Sequence, residues 1–489
     1  MSSTPTESKR QVRPFSMRDK IGYMFGDFGN DFTFILQSTF FMVFYTNVVG
    51  IKAAHVGTLF LVARCLDAFT DVGMGILVDR IPIKKGGTKF KRWIKIVAIP
   101  VAVASALMYM SFVADWESYS SRLVWMCCTY FLWGSLCYTA INIPYGSMAS
   151  VVSDNPDDRA QLSVFRSTGA NLANLLLNAV VPIFVYTKTL EGVSNLSGPR
   201  MTIAAIACAV AAVICYSLCY MNVEERVVAT PAEGEDKQKG ESIGKMLSSL
   251  FTNKALLTIV LAALCLLIGM MFLGGILPYI LLSYFGNGQL QSPASMVALI
   301  PAFALIVLAP MWGKRFGKAE TGVVAMFIGG AVLLIAYFLK IQNAWVWIIF
   351  YGVAMFCIAI FNFLIWAFIT DVIDYQEVRS GYRDDGTTYA IYSWARKLGQ
   401  AFAGFLTGHA LTMVGFDSAA AKAGEAQSQS AIDGIYMLTN VLPGVFCLLV
   451  AIVLLFLYPL KKQAVLTNTA ILRARRKGEV HAEDPLAKK

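Results

Sequence analysis

Ionisable residues are scarce in this chain: Asp, Glu, Lys and Arg make up only 15% of 489 residues, against about 25% in an ordinary soluble domain, while 57% are hydrophobic. That shortage excludes a water-facing globular surface. Histidine is nearly absent as well, and His55, His409 and His481 are too scattered for a metal cluster or a catalytic dyad. The ten cysteines, at 65, 127, 128, 137, 208, 215, 219, 265, 357 and 447, form no CxxC pair and all fall in apolar stretches, so they read as small packing residues rather than disulfide or zinc chemistry. The first eighteen residues are polar and have no apolar core segment, so no cleavable signal peptide is expected and the first span itself should direct insertion.

What the chain has in abundance is apolar stretches of about twenty residues, each long enough to cross a hydrocarbon core of roughly 30 Å as a helix. Twelve are expected, near 20–48, 55–78, 93–114, 122–148, 165–187, 200–221, 254–284, 292–313, 320–340, 345–370, 388–414 and 434–459. The fold class is therefore an all-α membrane protein. Lys52, Arg122, Lys188, Arg200, Lys340 and Lys422 are the basic residues of the odd-numbered connections, and the other Lys and Arg crowd the tails, the even connections and the span ends. By the positive-inside rule both termini are cytoplasmic. The net charge of +10 follows from the same bias and from contact with anionic lipid, which leaves little reason to expect nucleic acid. The long polar interval VEERVVATPAEGEDKQKGESIGKMLSSL divides the chain near its middle. The expected organisation is a tail (1–19), a six-helix half (20–222), a linker (223–252), a second six-helix half (253–460) and a solvated or lipid-facing tail with no fold of its own (461–489). Basic stretches after the second span of each half, RIPIKKGGTKFKRW and GKRFGKAETG, suggest two related bundles.

Charge within the spans points to function. In LVARCLDAFTDVGMGILVDR, helical spacing puts Arg64, Asp67 and Asp71 on one stripe. A carboxylate in a bilayer costs about 3 kcal/mol or more, so this stripe faces protein, ions or water. It reads either as a static ion-pair network or as a site where a cation arrives and leaves; one arginine does not neutralise two aspartates. In YMFGDFGNDF, Asp31 lies near the middle of the first span, whereas Asp27 reads as solvated or as capping a neighbouring helix. Thr139 and Asn142 offer oxygens to a cation or a sugar, or simply join helices. In the eleventh span Lys397, with Ser393 one turn earlier, is a candidate buried counter-charge. Trp366, Tyr392 and Trp394 are sugar platforms or packing aromatics. Asp371, Asp374, Glu377, Arg379 and Arg383, just past span ten, read as a cytoplasmic salt-bridge network that closes one face.

Taken together, YMFGDFGNDF, RCLDAFTDVGMGILVDR, KFKRW, YTAINIPYGSM, DRAQLSVFRS and DVIDYQEVRSGYRDDGTTYAIYSWARKLGQA resemble the glycoside-pentoside-hexuronide:cation symporter family, the melibiose-permease-like branch of the major facilitator superfamily. The resemblance implies two pseudosymmetric six-helix bundles, alternating access, and symport of a sugar or glycoside with H⁺ or Na⁺ rather than catalysis. It implies a cation site at Asp67, Asp71, Thr139 and Asn142, and sugar contacts from Asp31, Asn142, Arg166, Ser393 and Lys397, to which Trp366 is added as a platform. Asn142 and Gly146 stand where the melibiose-type pattern has an aspartate and a tryptophan. The missing carboxylate tilts the expectation toward H⁺. No cofactor is expected, and no metal other than a Na⁺ at Asp67 and Asp71. The expected partners are sugar and lipid bilayer, with a monomer functional in a bacterial inner membrane. The competing readings are a lipid or amphiphile transporter of the same superfamily and a membrane sugar sensor.

Overall fold

The computed structural model describes residues 13–81, 88–188, 193–226, 253–381, 385–477, 479 and 483–486. Among them, twelve long helical runs follow one another, in line with the twelve apolar stretches. The first six are α1 (Met17–Phe44, extended by a π-helical turn, Tyr45–Val49), α2 (Ala53–Arg80), α3 (Lys91–Leu107), α4 (Tyr119–Phe131) joined through the π-helical segment Leu132–Tyr138 to α5 (Thr139–Val152), α6 (Pro156–Val185) and α7 (Gly198–Asn222). A two-stranded pair, β1 (Tyr186–Lys188) and β2 (Ser194–Leu196), links the last two. The next six are α8 (Lys254–Tyr279), α9 (Gln291–Phe316), α10 (Lys318–Leu339), α11 (Ala344–Ser380), α12 (Asp385–Met413) and α14 (Gln429–Ile452), with the short α13 (Ser418–Ala423) before the last. Nine of the described runs are long and apolar enough to span a bilayer, or ten if the two bent pieces of α9 are one span. The remaining two, α2 and α12, house many of the charged residues singled out above.

The chain divides into two compact units: 1–51, 65–185 and 196–234 in one, 52–64, 186–195 and 235–489 in the other. Lipid tails compete evenly with Leu side chains, so helices associate in a bilayer largely where small residues let backbones come close. In the first unit Gly169 of α6 sits against α1, where a Cβ would lie 2.7 Å from the Met24 carbonyl oxygen, and Gly26 of α1 leaves room for the Tyr145 ring of α5. Tyr23 and Tyr145 stack at 4.7 Å between centroids, and each hydroxyl donates to the other residue's carbonyl, at 3.3 and 2.7 Å. In the second unit Gly330 of α10 and Gly444 of α14 meet backbone to backbone, a Cβ on the former falling 2.8 Å from the latter's carbonyl oxygen.

Helix ends are satisfied by charge. Glu225, just past α7, accepts the backbone N–H groups of Lys89, Phe90 and Lys91 at 2.6, 2.8 and 2.7 Å, a carboxylate at the positive end of α3. The fully buried Asp19 accepts from both Arg13 and Arg226 at 2.9 Å. The expectation of an unfolded C-terminal tail is corrected: Lys462–Lys477 forms a helix, α15, whose Ile471 and Leu472 pack on Val378 of α11. Two adjacent apolar side chains, with Arg475 hydrogen-bonded to the Glu377 and Val378 carbonyls, dock an otherwise charged segment. Residues 227–252 of the expected linker, and much of the basic stretch after α2, lie outside the described residues.

Candidate functional site

Asp67 and Asp71, one turn apart on α2, meet two hydroxyls that are themselves four residues apart on the facing run. Ser135 Oγ donates to Asp67 Oδ1 at 2.9 Å, and Thr139 Oγ1 donates to Asp71 Oδ1 at 3.1 Å. The two hydroxyl residues are buried, and the aspartates are half-buried. The π-helical segment Leu132–Tyr138 carries Ser135 and ends against Thr139. Its wider turn also places the Gly134 carbonyl oxygen 3.2 Å from Thr139 Oγ1, so that one hydroxyl proton has two acceptors. A hydroxyl strengthens an anionic acceptor by about 1.5–3 kcal/mol but cancels none of its charge. With Arg64 the cation on this stripe, the set Arg64, Asp67 and Asp71 carries a residual negative charge when both carboxylates are ionised. Asn142 lies half-buried about one turn beyond Thr139.

The second cluster lies where α1, α5 and α6 come together. Arg166 Nε donates to Asp27 Oδ1 at 3.0 Å, and the guanidinium lies 5.2 Å from the Tyr145 ring centroid. The close α1–α6 approach at Gly169 sets this pair, because Gly169 stands one turn after Arg166 and Met24 one turn before Asp27. The reading of Asp27 as solvated or capping is thereby corrected: it is 7% exposed and holds Arg166, while Asp31 lies half-buried one turn on, within electrostatic reach of both. A Cβ on Gly146 would sit 3.6 Å from an Arg166 Nη, so no side chain from that position covers the guanidinium, which also meets the Tyr23 hydroxyl.

In the second unit the expectations fare less evenly. Lys397 is exposed, not buried, and Ser393 is half-buried. Trp366 packs edge to face on Tyr392 at 5.0 Å, with the Arg396 guanidinium 5.4 Å from its ring centroid, so the aromatic pair does exist and its indole is 41% exposed. The segment after residue 370 does not leave the helix: α11 continues to Ser380, and the buried Asp371 pairs at 2.6 Å with Lys318 at the start of α10. Asp374 lies near enough to Asp371 to repel it. Arg379 donates to Tyr375 at 2.8 Å. The Glu377 and Val378 carbonyls at the end of α11 accept from Arg475 of α15 at 3.0 and 2.8 Å, and Arg475 also donates to Asp484 at 2.7 Å. That hydrogen bond to the Asp484 carboxylate raises the Arg475 pKa above its ordinary value. Arg383 lies outside the described residues.

Three functional candidates escaped the sequence reading: Ser135, Asp27 as the partner of Arg166, and Lys318 as the partner of Asp371. Only Ser135 had a usable signal, its position one turn before Thr139, matching the step from Asp67 to Asp71.

Comparison with known proteins places these features in context. A family model described as MFS/sugar transport protein matches residues 22–462. The chain is 32% identical over 452 residues to an uncharacterized symporter, YjmB, of Bacillus subtilis, covering 92% of this chain and 93% of that one. It is 29% identical to a putative sulfoquinovose importer of Escherichia coli (96% and 97% covered) and 29% identical to a glucuronide carrier protein homolog of the same organism (91% and 93%). In fold it is similar to a bacterial homolog of the lysosomal transporter Spinster, with TM-score 0.65 at 14% identity (93% and 99% covered), and to a D-xylose-proton symporter, with TM-score 0.60 at 16% identity (90% and 98%).

Proposed function

The chain belongs to the MFS/sugar transport protein family and is a multi-pass membrane transporter, and from that premise we propose that it carries an acidic sugar across the membrane by symport with a cation, H⁺ or Na⁺. The observation that carries the coupling is the α2 stripe: two carboxylates one turn apart inside a membrane helix, each held by a neutral hydroxyl. Two carboxylates on one face of a helix that crosses a bilayer are costly to hold ionised, so the free energy of this stripe depends strongly on whether a cation is present. Cation binding at Asp67 and Asp71, with Thr139 and Asn142 nearby, shifts the equilibrium between outward- and inward-open states only to the extent that the ion binds the two states differently, and the resulting coupling to sugar is reciprocal.

Recognition of the sugar falls to Arg166 and its surroundings. Asp27 engages Nε, and the planar guanidinium keeps further N–H donors of a kind suited to a carboxylate or a sulfonate. Gly146 leaves space beside that guanidinium, and Asp31 supplies an acceptor for sugar hydroxyls. Relatives named for glucuronide and sulfoquinovose, both acidic sugars, support the same reading. A bacterial inner membrane with both termini cytoplasmic fits the distribution of basic residues.

The test is uptake into right-side-out vesicles of a labelled panel of glucuronide, galacturonide, sulfoquinovose and neutral glucosides, with pH and Na⁺ gradients imposed separately. Accumulation of at least one acidic sugar, driven by one of the gradients and abolished by collapsing it, is expected. Gradient-independent equilibration, or accumulation of neutral glucosides alone, contradicts the proposal.

A further inference from the structure

We infer that the outward face of α15 is a docking surface for anionic phospholipid headgroups, which meet its basic side chains while the opposite face is clamped to the protein. The helix carries Lys462, Arg473, Arg475, Arg476 and Lys477 and no acidic residue. At 3.6 residues per turn, Lys462, Leu466, Arg473 and Lys477, separated by steps of four, seven and four, share one face with Arg476 at its edge, and Ile471, Leu472 and Arg475 point the other way. Observed burial agrees. Lys462, Leu466, Arg473, Arg476 and Lys477 are exposed, whereas Ile471 and Leu472 lie buried on Val378 and Arg475 donates to the Glu377 and Val378 carbonyls. The exposed stripe is therefore not what holds the helix in place.

Position, charge and apolar content each fit this face to lipid. α15 starts just after the apolar run Gln429–Leu457. Lys462 Nζ donates to the Arg315 carbonyl at 2.8 Å and Lys462 N–H donates to Glu320 Oε1 at 3.1 Å, so the first turn sits where α9 ends and α10 begins, at the headgroup level of three spans. A basic cluster directly beyond span ends is the pattern that meets an anionic leaflet. Among the described residues, Arg473, Arg476 and Lys477, with the exposed Lys314 and Lys461 beside them, have no ion-pair partner. Nearby carboxylates are engaged, Glu320 by Lys462 and Asp484 by Arg475, and Glu479 and Glu483 lie beyond the helix end. The helix dipole accounts for cations in the last turn but not for Lys461 and Lys462 at the positive end. Arg473 and Lys477, four residues apart, are a like-charge pair that an isolated helix disfavours and an anionic surface relieves. Leu466, within the stripe, is 55% exposed, and Phe316, next to Arg315, is 57% exposed. Apolar side chains set among basic ones seat at the acyl boundary while the Lys and Arg heads reach the phosphates.

A stripe that is merely solvated makes a different forecast, because headgroup charge then has no effect on it. The experiment titrates the purified full-length protein, in neutral detergent, with a photoactivatable phosphatidylglycerol and counts adducts on residues 461–477 by mass spectrometry. Unlabelled phosphatidylglycerol, phosphatidylcholine, inorganic phosphate and polyglutamate are added in turn as competitors, at equal charge where they carry it. Wild type is expected to label saturably on α15, with phosphatidylglycerol competing about tenfold or more better than phosphatidylcholine and labelling falling as salt is raised. The variant combining Arg473→Gln, Arg476→Gln and Lys477→Gln weakens labelling by about tenfold or more, a few-fold for each charge near an anionic surface. Its melting temperature in lipid-free detergent stays near that of wild type, since the docked face is untouched. Arg473→Gln alone gives a smaller loss and serves should the triple variant fold poorly. Equal competition by phosphatidylcholine, or wild-type labelling of both variants, overturns the inference in favour of a solvated stripe. Inorganic phosphate or polyglutamate competing as well as phosphatidylglycerol overturns it in favour of a free anion or an acidic protein. No sugar flux enters the readout, so the result stands apart from the proposed transport activity.

Discussion

In the first unit the carboxylates halfway along α2 take hydrogen bonds from serine and threonine, whereas in the second the carboxylate at residue 371 takes its bond from an ammonium, Lys318, at 2.6 Å. Both arrangements satisfy acceptors, but they differ in what remains. An ion pair offsets charge internally, and its position at the start of α10 suits a fixed brace. A hydroxyl bonded to a carboxylate orients it and cancels none of its charge. The same contrast separates Arg166, which meets one carboxylate through Nε and otherwise the aromatic residues Tyr23 and Tyr145, from Arg475, which is spent on two helix-end carbonyls and Asp484. Intramembrane charge therefore has to be read through its partner: a hydroxyl leaves the charge of the carboxylate in place, as the proposed coupling site requires, whereas a counter-ion offsets it, as a brace requires.

That distinction can be broken in order of effect. Arg166→Gln removes the guanidinium and leaves Asp27 buried without its cation, so uptake and exchange of acidic sugar should both fall by about a hundredfold or more in a vesicle flux assay; exchange within a fewfold of wild type would move Arg166 into the structural class. Lys318→Met should behave in the opposite sense. It strands Asp371 and lowers stability, by about 1–3 kcal/mol rather than the roughly 3–5 expected of a fully buried pair, because the lysine side chain keeps 28% exposure. The gradient dependence of transport should be unchanged. A melting curve like that of wild type, or a changed ion dependence, would erase the difference between the two units.

The sequence made the twelve spans and the α2 stripe visible because both depend on local patterns: twenty apolar residues, and steps of three, four and seven. Partner choice was not visible, because it depends on how helices rotate about one another. Asp27 rather than Asp31 meets Arg166 because Gly169 brings α6 against Met24, a contact made by a residue with no side chain to signal it. Lys318 lies 53 positions from Asp371 on the preceding helix, inside the basic stretch GKRFGKAETG, which marks a helix end but does not name a partner. The burial expected of Lys397 came from counting residues into its span, which fixes depth along the helix but not the face; the side chain is exposed. The folded C-terminal helix was hidden behind its charge, since only Ile471 and Leu472 form its buried face.

The most direct measurement compares Asp67→Asn with wild type in two modes on the same vesicles: accumulation of labelled acidic sugar against its gradient under an imposed Na⁺ or pH gradient, and gradient-free exchange of the same sugar. Loss of accumulation with exchange retained within about tenfold is the expected result, since the substitution removes the charge that the cation meets and leaves the sugar contacts in place. Full gradient-driven accumulation by Asp67→Asn would contradict the assignment of coupling to the α2 carboxylates.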